Sequence, residues 1–411
     1  MEFININFYF DEANYDRKIT YKPEKNEVNI LGPQNWDTFV GVFIGIKKEN
    51  LIKFENSYLD FEEKYKNKFL NGDLSKELKG EIIRNKNFKN GFSTFNKDTV
   101  EFYSDFFDIL INNNCIFQLI CFSKIERVID TAFNDYKDFL RFKGVYIRPF
   151  IYSITKYIYT YKYLELAEKL FLYSESEEKI NIIKLLSDSI NETLEEISSF
   201  KRKEREINAL RQLKNIFDLL DFNISVNEKI SWDCSCNFEG FNLLLKELGK
   251  RPNEISLFLD EDKINFNAAQ NSEKYYGKYG KLKSCNSKDF IGIRVADILA
   301  TFFSKLSKAS EEELAEDYEN GIDEKRKLIK KEWFTLNNKQ FMLIKKLQCL
   351  FNKSFYYSTY FSYYTDFIRT IFYYLEYIFS FNSFEEYERN YDYESANNYI
   401  IERLRIDLNK L

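Results

Sequence analysis

At 411 residues, with 44% apolar and 18% aromatic side chains, the chain exceeds one typical domain and can bury a sizeable core with additions around it. A net charge of −5 excludes a globally basic coat, though not a local basic stripe. Histidine is absent, which excludes Ser-His-Asp and Cys-His catalysis, zinc motifs built on histidine and any nuclease with a histidine base.

Residues 3–10 alternate, with Ile4, Ile6, Phe8 and Phe10 on one face and Asn5, Asn7, Tyr9 and then Asp11 on the other. The spacing predicts a strand with one buried and one polar face. A turn follows at Ala13-Asn14-Tyr15-Asp16, then strands around Val28–Leu31 and Phe39–Ile46 separated by Gly32-Pro33, which together read as an antiparallel meander. Residues 51–70 are charged and helical in pattern. Cys115–Phe122 is a nearly continuous apolar run, as in a strand buried on both faces. From 127 to 249 the pattern is mostly helical, including the charged stretch Glu195–Asn215. Ile255–Asp260 reads as a further strand after Pro252 and Asn253, and Ser287 as the cap of a helix to Leu306 with Asp289 in its first turn.

The remainder, 311–411, is helical and rich in Tyr and Phe; with 4 prolines and 13 glycines in the whole chain, long helices are favoured. The stretch Phe355–Phe381 is interrupted by Asp366, Arg369 and Glu376, so no membrane span is expected, and the N-terminal residues lack a secretory pattern. Six cysteines are scattered, the closest pair being Cys234-Ser-Cys236; they read as reduced core thiols of a cytoplasmic protein.

Hydrolysis without histidine must run on carboxylates, lysine, tyrosine or metal-bound water. Two divalent ions about 3.5–4 Å apart neutralise a phosphodiester and activate water, and Mg²⁺ or Mn²⁺ calls for several Asp or Glu from separate elements. Four places qualify. Asp11-Glu12 ends the first strand and Asp260-Glu261-Asp262 ends that of Ile255. Glu77-Leu78-Lys79-Gly80 needs an extended or irregular backbone for a joint role, because positions 77 and 79 of a helix do not share a face; Gly80 permits one. Asp297 lies in a helix with apolar residues at 291, 295, 298, 299, 302 and 306, flanked by Ala296 and Ala300, which let the helix approach a sheet closely.

Setting the insertion aside, three meander strands, a helical segment, a strand, a further strand and a helix are the element order of a ribonuclease H fold. Phe10-Asp11-Glu12-Ala13, Glu77-Leu78-Lys79-Gly80, Asp260-Glu261 and Gly292-Ile293-Arg294-Val295-Ala296-Asp297-Ile298-Leu299-Ala300 resemble, in order, the pattern of domain-of-unknown-function family 3800. That family is bacterial, associated with mobile elements and defence islands, and classed with ribonuclease-H-like folds. The resemblance covers residues 1–130 and 250–306. It implies an α/β ribonuclease-H-like mixed sheet, an antiparallel three-strand meander plus parallel strands, in a core split between 1–126 and 250–306. Residues 127–249 are then a helical insertion and 307–411 a helical C-terminal region. It also implies Asp11, Glu77, Asp260 and Asp297 as ligands of Mg²⁺ or Mn²⁺, Glu12 as their support, and Lys79 stabilising charge on the phosphate. The family usually has Ser-Gly where this chain has Ala13-Asn14, often a Gln where it has Arg294, and many active ribonuclease-H-like enzymes carry an acid where the 115–122 strand runs into Ser123-Lys124.

The expected activity is a metal-dependent nuclease acting on DNA or RNA, an effector of phage defence or a toxin. Arg84, Lys86, Lys89 and Lys97, interleaved with Phe88, Phe92 and Phe95, are expected to hold a nucleic-acid backbone, with Lys124 and Arg294 as phosphate contacts. Lys201–Lys214 reads rather as a solvated helix face. Three other readings stay open: a catalytically degenerate nucleic-acid-binding or sensor module; a restriction-type Glu77-x-Lys79 site using Asp60 or Asp73; and a membrane-acting tail over 311–411. A partner protein would dock on the helical insertion or the C-terminal region.

Overall fold

The computed structural model describes residues 5–13, 18–22, 24, 27–30, 36–73, 75–175, 181–221, 230, 232, 235–314, 329–358 and 362–409. The turn at Asn14–Asp16, the Gly32-Pro33 pair and Cys234 lie outside them.

The chain is a mixed α/β protein. Its main sheet has six strands in the order β7-β6-β1-β4-β5-β8. These are β1 (Ile6–Ala13), β4 (Thr38–Lys47), β5 (Ile116–Ser123), β6 (Ile255–Asp260), β7 (Lys281–Cys285) and β8 (Phe355–Ser358); β2 (Tyr21–Lys22) and β3 (Glu27–Val28) form a separate hairpin. β1, β4 and β5 are successively antiparallel, whereas β6 runs parallel to β1, β7 to β6 and β8 to β5. The meander is therefore built from the runs at 6–13, 38–47 and 116–123. The expected strand at Val28–Leu31 does not join it: Val28 and Ile30 are buried in a different core, among helices of the 125–230 region.

Both faces of the sheet are covered, by period-2 alternation along each strand. Phe8, Phe10, Phe39, Phe43, Leu257 and Leu259 pack on one side against Phe238 and Phe241 of helix Ser235–Glu247 and Ala268 and Ala269 of helix Lys263–Tyr276. Tyr9, Val40, Val42, Ile44, Leu119 and Phe258 pack on the other, against helices Leu51–Phe69, Lys97–Asn112, Ile291–Leu314, Asn338–Ser354 and Asp366–Phe379. The polar face expected for β1 is thus also buried. Tyr9, 3% exposed, and Asn7, 7% exposed, lie under the second helical layer.

Helices Lys124–Ala132, Ile147–Tyr157, Ile182–Ile197 and Glu204–Phe217 share the third apolar core with the β2–β3 hairpin. Among the described residues no helix is long and apolar enough to cross a membrane. Cys115, Cys121 and Cys285 are buried free thiols and Cys349 is exposed.

A candidate carboxylate site at one end of the sheet

The register of β1 with β6 ends at Phe10 opposite Leu259, so the next residues, Asp11 and Asp260, lie side by side on strands about 4.8 Å apart. Alternation puts both on the face of Tyr9 and Phe258, beneath helix Ile291–Leu314. That helix comes unusually close to β1 because Gly292 faces Tyr9: a Cβ on Gly292 would lie 2.2 Å from the ring's Cγ and Cδ2. From this contact Asp11 is two strand residues on, about 6.7 Å, and Asp297 five helical residues on, about 7.5 Å. The charge of Asp297 acts on Asp11 from this helix.

The electrostatics records this convergence. Burial, then the charge of Asp297, Glu12 and Asp260, raises Asp11 well above the usual carboxylate range. Burial raises Asp297 to about 6, against the opposing pull of the Gly80 N–H, which donates to its Oδ2 at 2.8 Å, and of Lys79. Asp260 is raised by burial and by Glu77 and Glu261. Burial alone would lower Lys79, yet its ammonium is raised overall because Asp297, Glu77, Asp11 and Asp260 all act on it. One lysine thus feels all four acids expected to be ligands.

Backbone geometry delivers the loop residues. Lys79 is extended (φ −106°, ψ 156°) and leads into a single 3-10 turn, Gly80–Ile82, which is the irregular backbone a joint role for positions 77 and 79 required. Gly80 lies so close to helix Ile291–Leu314 that a Cβ there would meet Thr301 Cβ at 2.5 Å. Lys305, one turn beyond Thr301, donates to the carbonyls of Gly80 (3.3 Å) and Ile83 (2.6 Å); burial lowers its own pKa to about 8. Glu77 accepts from Ser287 Oγ at 3.0 Å and lies 3.7 Å from Lys79 Nζ. Glu12 accepts from Asn265 Nδ2 at 2.8 Å, and Glu261 from Asn286 Nδ2 at 3.2 Å.

Several supporting residues were not foreseen. Ser287 does not cap the following helix, which begins at Ile291; its hydroxyl holds Glu77 instead, and Asp289 lies before the first turn. Asn265, Asn286, Thr301 and Lys305 carry no sequence pattern that separates them from ordinary polar helix and loop residues.

The expected nucleic-acid contacts divide. Arg84, Lys86, Lys89 and Lys97 are exposed, but Phe88, Phe92 and Phe95 between them are buried in the core and offer no stacking platform. Lys124, 1% exposed, and Arg294, 7% exposed, do not make the expected phosphate contacts, because burial withholds both from a polyanion. Arg294 instead donates to the carbonyls of Ser287 and Lys288, each at 2.8 Å, and to Glu62 Oε2 at 3.3 Å. It is a strut behind the loop whose Ser287 holds Glu77.

The end of β5 does carry acids nearby, but the protein consumes them. Asp37, fully buried, accepts from Ser123 Oγ at 2.5 Å and from the Ile125 N–H at 2.8 Å. Glu126 accepts from the N–H groups of Tyr363 and Tyr364 at 2.6 and 2.8 Å, and burial raises it to about 8. Of the acids considered for a restriction-type site, Asp73 is engaged locally by Ser75 and Lys76, and Asp60 is exposed on helix Leu51–Phe69.

A hard divalent cation is matched here by donor chemistry: only oxygen ligands, several like charges, and few hydrogen bonds to offset them. Preformed coordination is a different matter. Among the described residues, no three acidic or cysteine side chains are set close enough together to hold an ion. Searches against family models, curated proteins and solved structures find no match to this chain.

Proposed function

We propose that this chain is a divalent-metal-dependent nuclease, a divergent relative of domain-of-unknown-function family 3800 built on a split ribonuclease-H-like sheet, which cleaves phosphodiesters of DNA or RNA in phage defence or as a toxin. The observation that carries the reading is that Asp11 and Asp260 end adjacent parallel strands and, with Asp297 of the overlying helix, act electrostatically on one lysine, Lys79. An antiparallel meander continued by parallel strands from its first member agrees with it.

Asp11, Asp260, Asp297 and Glu77 would hold Mg²⁺ or Mn²⁺, which when bound supplies charge neutralisation and an acidified water. The protein's own part is positional. Gly80 and Lys305 pin the loop to the helix that carries Asp297, and Ser287 and Asn265 orient Glu77 and Glu12. Lys79, the exposed cation at the site, offsets charge developing on a phosphate oxygen.

The test is incubation of the purified chain with end-labelled single- and double-stranded DNA and RNA in Mg²⁺ or Mn²⁺. Cleavage that disappears in Asp11→Asn and Asp297→Asn, both with parental circular dichroism, is expected. Intact substrates under every condition would overturn the reading in favour of a catalytically degenerate binding module. The saturation of Asp37 and Glu126 by protein donors is the observation that favours that alternative.

A further inference from the structure

The chain is acidic overall, yet residues 274–289 contain five lysines (Lys274, Lys278, Lys281, Lys283 and Lys288) and one acid, Asp289. The core of this run is β7, which terminates the sheet order on the side of β6. Its register pairs Ser256 with Lys281, Phe258 with Lys283 and Asp260 with Cys285. Paired residues share a face, so Lys281 and Lys283 lie on the face that carries Asp260 and Asp11. They form a row leading away from the acids, about 6.6 Å per pair of residues.

Both ammonium groups are exposed and held against aromatic rings of that face: Lys281 Nζ is 5.3 Å from the Phe258 centroid and Lys283 Nζ 4.8 Å from that of Phe290. Such contacts limit the swing of the side chains and keep the charges aligned with the strand. Lys288 continues the row past Cys285 into the loop whose Ser287 holds Glu77. The basic row therefore ends where the carboxylates begin.

We infer that the β7 edge is a track for the sugar-phosphate backbone of a nucleic-acid strand, with Lys281 and Lys283 contacting successive phosphates and Lys288 delivering the strand to the acid end of the sheet. The inference deepens the proposed activity and rests on that reading for the identity of the polyanion. The charge on the strand complements the row, and a lysine contact to phosphate is sequence-independent. Lysines also protect exposed sheet edges from pairing with other chains; that role needs neither the shared face nor continuity with the carboxylates.

The experiment measures binding of fluorescein-labelled single-stranded DNA and RNA 20-mers to the full chain carrying Asp297→Asn, so that binding is read without turnover, across a salt series. Lys281→Glu/Lys283→Glu is expected to weaken binding about tenfold or more at low salt and to reduce the slope of log K against log[salt] by about 1.4, two phosphate contacts on a single strand. Lys184→Glu/Lys201→Glu, on exposed lysines of the 127–249 region, is expected to change neither. Lys281→Gln/Lys283→Gln guards against misfolding by charge reversal and is expected to show the same loss in smaller degree.

Parental affinity and salt slope in both β7 variants, with or without new self-association, overturn the track and leave the lysines as edge protection. If cleavage occurs but its KM is insensitive to the β7 substitutions, the track fails while the nuclease reading stands. Lysine-dependent binding with no cleavage in any metal retains the track and removes the nuclease.

Discussion

Replacing Asp297 by asparagine removes one negative charge while keeping an acceptor for the Gly80 N–H. The folded-state pKa of Asp297 is about 6, against 3.8 for the free side chain. Between those values the folded protein holds a proton that the unfolded chain has released, so stability falls as pH rises from about 4 to about 6 and stays reduced above. Two units correspond to about 3 kcal/mol. A gain of roughly 1–3 kcal/mol for Asp297→Asn at pH 7.5 is therefore expected. Asp11 adds to the gain, since the charge of Asp297 is among the causes that raise it.

Urea denaturation of parent and variant in chelator-treated buffer at pH 7.5, 6 and 4.5 checks this. The difference between them is expected to shrink steadily toward the lowest pH. A variant less stable than the parent at pH 7.5, or an advantage independent of pH, would refute the electrostatic account of the site. Such a gain has a general meaning, because residues retained at a cost to stability are commonly retained for function.

Gly80→Ala places a methyl 2.5 Å from Thr301 Cβ, so the loop must retreat from the helix; denaturation should report a loss of about 1–3 kcal/mol, partly restored by Thr301→Gly despite its helix cost. Arg294→Ala leaves the carbonyls of Ser287 and Lys288 without their donor and leaves Glu62 with only Lys66, 3.5 Å away, as a charge partner. A loss of roughly 3–5 kcal/mol is expected in the same assay, and Arg294→Lys, which lacks the forked geometry, should recover only part of it.

The strands that anchor the site were legible because burial on both faces writes nearly continuous apolar runs, as in Cys115–Phe122, broken only by Gln118, and Ile255–Leu259, broken only by Ser256. The same physics hid the rest. β7 reads Lys-Leu-Lys-Ser-Cys because only part of an edge strand faces the core, so it resembles a loop. The apolar residues Val28 and Ile30 mimic a sheet strand but serve another core. β8, pairing with β5, falls in a segment whose Tyr and Phe density suits a helix equally.

Among site residues, Asp11 is visible as the acid ending an alternating strand, Asp260 as the acid ending a mostly apolar one, and Asp297 as an acid amid the apolar residues of a helix. Lys124 and Arg294 could not be told from surface cations, because the partners that bury them, Asp37 and Glu62, lie 87 and 232 positions away in the chain. Ser287 illustrates the limit of local rules. A serine shortly before a helix is a natural cap, and only the distant Glu77 draws its hydroxyl elsewhere.

The most direct test of the carboxylate cluster is an electron paramagnetic resonance titration of free Mn²⁺ against the full chain and against Asp11→Asn/Asp297→Asn. The parent is predicted to deplete the free-ion signal saturably while the folded double variant leaves it unchanged. Equal depletion by both proteins, or none by the parent at millimolar Mn²⁺, would contradict a shared metal site at this end of the sheet.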